Sequence, residues 1–281
     1  MNHSKAMTLC GVSSLIVLLG AQAWGATQRP EPAIEWLVDC PQMPGGAHDQ
    51  EVLARTQCAI VTVPLNHHAP ERGTLDINLT RVGARHPLSR QGVVFTQPGG
   101  PQVDSHEVFA VHLATAWKHY GTGAYRTLTN LYDVIELTPR DLLDQTATEQ
   151  AARDMEFVRV QLGEARINYL GHASGSTLGA WYGALFPQQL QRMVLIRNEP
   201  GSHLPPADVA RALNRLPDTH RLLLKGEYLQ AASANNTSQC LNQWVGDYLA
   251  YGKQPPRSTR CVDADVQDNP VKNYSFTTQP H

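Results

Sequence analysis

The chain has 281 residues, of which 42% are hydrophobic and 17% are charged, enough apolar material to bury one large core. Its formal net charge of -2, with no long run of either sign, excludes the electrostatic footprint of a nucleic-acid-binding protein. The sequence likewise has no basic belt that would hold it to an anionic membrane.

Residues 1–25 have the pattern of a secretory signal peptide. Lys5 supplies a positive charge, residues 15–19 are apolar, and small residues follow at Ala21, Ala23, Gly25 and Ala26. The apolar stretch is shorter than the roughly 20 residues that span a bilayer. We therefore expect cleavage, a secreted or periplasmic chain and no membrane contact afterwards. An uncleaved anchor is the alternative.

The remaining chain is predicted to form one domain. Residues 26–35 contain two prolines and are predicted to be a linker, residues 36–262 the folded domain, and residues 263–281 a C-terminal tail.

Four cysteines remain once the signal peptide is removed, and an even count in an exported chain favours two disulfides. Three pairings are possible. We favour Cys40 with Cys58 and Cys240 with Cys261, because each closes a short loop near one end of the domain. Free thiols are the alternative, and the spacing is not that of a zinc site.

In chain order, the pattern begins with two antiparallel strands, a β-branched run at 58–64 and a period-two run at 74–81. From residue 92 onward, short apolar runs alternate with helical patterns, which predicts a doubly wound, mostly parallel sheet covered on both faces. The predicted strands are 92–96, 132–137, 167–170, 192–196 and 221–224, and the predicted helices are 148–162, 177–185, 207–216 and 241–251.

One strand-to-helix turn has the context of a nucleophile elbow. The turn follows strand 167–170, and Gly171 and Gly175 flank it. Residues 168–187 resemble, without a gap, the elbow of the tripeptidyl aminopeptidase and proline iminopeptidase family of serine peptidases. Residues 58–65, 97–101, 132–140 and 240–261 resemble further landmarks of that family in the right order. The resemblance implies an α/β-hydrolase fold, with Gly99, Gly100 and the N–H of Ser174 forming the oxyanion site.

The catalytic positions depart from this family. The resemblance aligns Ala173 with the nucleophilic serine, Gly201 with the triad aspartate and Tyr228 with the triad histidine. A methyl group can neither attack a carbonyl nor be activated by a base. Only a few residues separate strand 192–196 from the aspartate loop, where the family has a helical lid and a further strand. We therefore predict a lid-deleted fold with a degenerate triad.

Three hypotheses about the function remain open. A non-catalytic homologue would bind a protein partner, a second copy, or a small peptide or ester ligand at the face that the lid would cover. An active serine hydrolase, an aminopeptidase or esterase, would need a relocated nucleophile such as Ser174 or Ser105. A decaying coding sequence is the third hypothesis. No cofactor or metal is expected, because the histidines are scattered and no aspartate or glutamate has metal-ligand spacing. No nucleic acid is expected either, because the charge pattern gives it no footprint.

Overall fold

The computed structural model describes residues 33–40, 49–98, 108–138, 140, 145–197, 205–225, 239–256 and 265–266. Within them the strands are β1 (Ile34–Trp36), β2 (Thr56–Pro64), β3 (Thr74–Val82), β4 (Gly92–Gln97), β5 (Tyr132–Leu137), β6 (Ile167–His172), β7 (Leu190–Arg197), β8 (Arg221–Lys225) and β9 (Asp265–Val266). The helices are α1 (Gln50–Leu53), α2 (Phe109–Tyr120), α3 (Gly123–Leu131), α4 (Gln145–Gln161), α5 (Ser174–Leu185), α6 (Ala207–Arg215) and α7 (Gln239–Tyr251).

The strands form one sheet in the order β1-β2-β3-β5-β4-β6-β7-β8-β9. The first three strands are antiparallel, and β3 pairs antiparallel with β5. From β5 to β8 all neighbours are parallel, and β9 closes the edge antiparallel to β8. The predicted doubly wound sheet with antiparallel N-terminal strands is confirmed.

The central strands are buried because helices cover both faces of the sheet. On β5, Val134 packs with α2, α3 and α7, whereas the next residue, Ile135, packs with α4, α5 and α6. Neighbouring side chains on a strand point to opposite faces, so a strand covered on both sides is apolar throughout. This is why the central strands were recognisable as unbroken apolar runs.

Both edges of the sheet differ from the predicted boundaries. β1 starts at Ile34, inside the predicted linker, and Ile34 pairs with Val61 of β2. β9 lies inside the predicted C-terminal tail. Strands of two or three residues are too short to show an alternating pattern, so their sequence gives no recognisable signal.

The predicted disulfide between Cys40 and Cys58 is confirmed. It joins the segment after β1 to the start of β2. Cys240 is also disulfide-bonded. Its predicted partner, Cys261, lies outside the described residues, so that pairing stays a prediction.

The part of the chain that the structure describes contains no helix long and apolar enough to cross a membrane. The predicted signal peptide lies outside it.

Candidate functional site

The turn between β6 and α5 has the backbone of a nucleophile elbow. Ala173 connects the two elements with φ 47° and ψ -114°. Among the described residues it is the one non-glycine residue with a positive φ. L-residues avoid this region because Cβ crowds the neighbouring carbonyl oxygen, so the turn is strained.

Close backbone contacts hold the turn in this conformation. A Cβ atom on Gly171 would lie 2.4 Å from the carbonyl oxygen of Gly175, and one on Gly175 would lie 2.3 Å from that of Gln97. Only glycine fits at either position, because real Cβ contacts are not this short. The flanking glycines of the sequence motif are therefore required by the packing of β4, β6 and α5.

Hydrogen bonds add to this framework. The backbone N–H of Ala173 donates to the carbonyl oxygen of Ile196 at 2.9 Å. The hydroxyl of Ser176 donates to the same oxygen at 2.7 Å. The Tyr169 hydroxyl donates to the Gly175 carbonyl oxygen at 2.7 Å. The elbow is thus tied to β7 and to its own strand.

The residue on the strained turn has no nucleophilic side chain. The side chain on the strained turn is the methyl group of Ala173, which is half-buried. Ser174 is the first residue of α5, where the backbone is already helical. The serine next to the elbow is therefore displayed by a helix terminus and not by the turn.

The remaining predicted site residues lie outside the described residues. Gly99, Gly100 and Ser105 follow β4 in sequence, Gly201 follows β7, and Tyr228 follows β8. Carboxyl ends of parallel strands meet at one edge of a sheet, which is where α/β enzymes bind ligands. Their predicted roles stay predictions.

A charged brace lies beyond the same edge, after β5. Arg140 donates from Nε to Asp154 Oδ2 at 2.7 Å, and its guanidinium also bonds the carbonyl oxygens of Pro64 and Leu65. The ring nitrogen Nε2 of His67 is 2.7 Å from Asp154 Oδ1. The brace joins the end of β2 to α4, so Arg140, at the end of the family-like segment 132–140, has a structural role here.

One buried carboxyl at this edge was missed by the sequence analysis. Glu136, on β5, is 8% exposed, and its Oε2 accepts a hydrogen bond from the Ala110 N–H at 2.8 Å. Burial raises the pKa of Glu136 to about 7, and the N–H groups of Ala110 and Phe109 limit the rise. Strongly perturbed carboxyls are typical of functional sites. The signal in the sequence was an acidic residue inside an otherwise apolar strand.

The described residues include no group of three or more histidine, cysteine, aspartate or glutamate side chains placed to bind a metal ion.

Comparison with known proteins agrees with this geometry. The family model for the alpha/beta hydrolase fold matches residues 118–262, just over half of the chain. The tripeptidyl aminopeptidase of Streptomyces coelicolor is 26% identical over 219 residues, which cover 62% of this chain and 39% of that protein. The serine protease Hip1 of Mycobacterium tuberculosis is 25% identical over 95 residues, or 34% of this chain and 16% of that protein.

The chain therefore spans well under half the length of the curated relatives it matches. Among solved structures, juvenile hormone epoxide hydrolase from the silkworm Bombyx mori matches with a TM-score of 0.36 and 14% identity, over 61% of this chain and 40% of that chain. Similarity at that level adds nothing to the assignment. The extent of the family match, together with the elbow between β6 and α5, shows that this chain belongs to the α/β-hydrolase fold family, in which it resembles the tripeptidyl aminopeptidases.

Proposed function

We propose that this chain is an exported α/β-hydrolase-family protein that has lost catalysis and acts by binding. The observation that carries the proposal is the methyl group of Ala173 on the strained turn. A serine hydrolase needs a hydroxyl at this point, because the turn presents the nucleophile to the substrate and to the oxyanion donors. The framework remains, and the reactive atom does not.

A relocated nucleophile at Ser174 fits this geometry poorly. The strained φ belongs to residue 173, whereas residue 174 is the first residue of α5. A shift of one residue at a strand-to-helix turn changes the direction of the side chain. Ser105, the other alternative, lies outside the described residues.

Labelling with a fluorophosphonate probe tests the proposal, because the probe reacts covalently with activated serines. We expect no labelling of the purified, disulfide-intact protein above a heat-denatured control. Labelling that disappears in Ser174→Ala or Ser105→Ala, but persists in the matched variant Ser89→Ala, would show an active serine hydrolase. Ser89 is an exposed serine that precedes β4, away from the elbow.

Export is the second part of the proposal. The disulfide between Cys40 and Cys58 supports it, because such bonds persist in oxidising compartments. The signal-like pattern of residues 1–25 supports it from the sequence. Mass spectrometry of the native mature chain should find an N-terminus near residue 26. A native chain that retains Met1 would contradict cleavage.

Binding is proposed for the carboxyl edge of the sheet. Only residues 198–204 separate β7 from the segment that leads into α6, which is too short for a helical lid. The resemblance implies a lid there, so we propose that a protein partner, a second copy, or a small peptide or ester uses the uncovered face. Light scattering coupled to size-exclusion chromatography should show self-association or a complex. If the purified chain is a monomer and captures no protein from its native compartment, this result would count against a macromolecular partner.

A further inference from the structure

A groove with several charged side chains in its lining lies at the amino edge of the sheet, on the opposite side from the elbow. It is open to solvent, has a volume of about 570 Å³, and lies between the end of α1, the connection from β3 to β4 and the end of α3. β4 is parallel to β6, so residues before β4 lie at the edge opposite the end of β6. Any function of this groove is therefore separate from the elbow and does not depend on whether the chain is catalytic.

Positive charge exceeds negative charge around the groove. Oε1 of Glu51 is 3.0 Å from Nε of Arg55 and 3.0 Å from Nε of Arg85. Its other oxygen is 3.5 Å from Nζ of Lys118, which pairs more closely with Asp49 at 2.6 Å. Three cations thus share two carboxylates. Among the described residues, these three cations therefore exceed their two carboxylate partners by one charge.

The unbalanced charge is partly buried at Arg55. Its side chain is 14% exposed, and Nη1 donates to the carbonyl oxygen of Gly83. Nη2 is buried and has no hydrogen-bond partner among the described residues. Burial lowers the pKa of Arg55, and the neighbouring Arg85 adds to this. A partly buried cation in this condition is stabilised by a further anion nearby.

Three side chains at the groove have hydrogen-bonding capacity to spare. Arg85 is 41% exposed, and among described residues its guanidinium pairs only with Glu51. His86 and Asn130 line the same groove, and the described part of the chain provides no hydrogen-bond partner for either side chain. The backbone N–H groups of Arg85 and His86 are bound to α3, so the connection that carries them is fixed to that helix.

We propose that this groove binds an oxyanion group, a phosphate or a carboxylate. Arg85, His86 and Asn130 supply the hydrogen bonds, and Arg55 supplies charge from beneath. Arginine suits both anions, because its planar donors match two oxygens at once. Glu51 competes with the ligand for the two arginines, so the site binds weakly and its affinity depends on Glu51.

The test is calorimetric titration of the full chain with sodium phosphate, with sodium acetate and with sodium chloride at one ionic strength. We expect saturable binding of phosphate or acetate and none of chloride. Saturation by phosphate alone assigns a phosphate ligand, and saturation by acetate alone assigns a carboxylate. Absence of saturation by either, or an equal response to chloride, would overturn the proposal.

Variants distinguish binding at this groove from non-specific attraction of the anion to positive charge. Arg85→Gln should weaken binding about tenfold or more, as expected for a lost charge-assisted hydrogen bond. Glu51→Gln should strengthen binding, because the competing carboxylate is gone. The matched control is Arg72→Gln, which removes the same charge from an exposed residue before β3. Equal weakening in Arg72→Gln and Arg85→Gln would overturn the proposal, and melting temperatures verify that each variant is folded.

Discussion

Two buried carboxyls on β5, three residues apart, have opposite electrostatic environments. Asp133, at the amino edge, accepts hydrogen bonds from Nε of Arg81 at 2.9 Å, Nε of Arg90 at 2.7 Å and the Ala84 N–H at 2.7 Å. Among the described residues, the partners of Glu136, near the carboxyl edge, are the N–H groups at the start of α2. Asp133 therefore has two cationic partners, whereas Glu136 has none among the described residues.

The difference separates a compensated carboxyl at the amino end of β5 from a poorly compensated one at its carboxyl end, near the elbow. Proteins keep strain and poorly compensated charge where function requires them, and satisfy them elsewhere. Here the carboxyl edge has both a strained backbone at Ala173 and a perturbed carboxyl at Glu136. That this edge keeps both features while the nucleophile position holds a methyl group supports a role in binding.

The largest effect should come from removing the compensated carboxyl. Asp133→Asn should lower the free energy of unfolding by about 3 to 5 kcal/mol, because Arg81 and Arg90 then lose their common counter-charge in a buried setting. Denaturant unfolding at pH 7 under non-reducing conditions measures this. The matched control is Asp76→Asn, an exposed aspartate on β3, for which we expect a change within about 0.5 kcal/mol. Equal losses in the two variants would contradict a stabilising role for the amino edge.

Glu136 should make stability depend on pH in the opposite sense to an ion-paired carboxyl. Its pKa is about 7 in the folded chain and near 4.5 when unfolded, so between these values the folded chain keeps a proton that the unfolded chain has lost. The contribution of the protonated Glu136 to the stability of the folded chain is complete below pH 4.5 and is lost as the pH rises through 7. The free energy of unfolding that is lost over this pH range is about 3 kcal/mol, at about 1.36 kcal/mol per unit of pKa shift.

Glu136→Gln tests this, since glutamine keeps an acceptor for the Ala110 N–H and does not titrate. Relative to the wild type, the variant should gain about 3 kcal/mol of unfolding free energy between pH 4.5 and pH 8. Denaturant unfolding of both proteins across this range cancels the other titrating groups. Parallel pH profiles would show that the carboxyl does not titrate in this window.

The smallest effect should come from the elbow backbone. Ala173→Gly removes the strain of a positive φ but makes the unfolded chain more flexible, so we expect a net gain of about 1 kcal/mol or less. Ala116→Gly, in the middle of α2, is the control and should lose about 1 kcal/mol. A clear loss in Ala173→Gly would mean that the methyl group makes packing contacts that outweigh the strain.

The sequence predicted the fold well where burial on both faces produced unbroken apolar runs. β4 and β5 were located in this way, and the glycines around the elbow identified the strained turn. Helix α5 was predicted to begin at Thr177 but begins at Ser174. Gly175 and Ser176 have low helix propensity, and their places are set by close contacts with β4 and β7.

The sequence predicted which catalytic residue type is absent from the elbow, but it did not predict which polar side chains are buried around it or line the groove. Ala173 stood out because a motif assigns a role to that position. Glu136 did not, since its partners lie on α2, more than twenty residues earlier in the chain. Arg55 and Arg85 did not, because their groove forms only when α1 lies next to the connection between β3 and β4. Contacts between residues distant in sequence leave no local pattern.

We propose that this chain has lost the whole catalytic apparatus and not only one serine. Ala173→Ser restores the hydroxyl on a backbone that still has the elbow conformation. We predict that this variant remains unlabelled by a fluorophosphonate probe and hydrolyses neither aminopeptidase nor ester substrates. The resemblance aligns Gly201 with the triad aspartate and Tyr228 with the triad histidine, and on that alignment neither would provide an acid or an imidazole base. Labelling of Ala173→Ser at a rate comparable to that of an active serine hydrolase would contradict the claim.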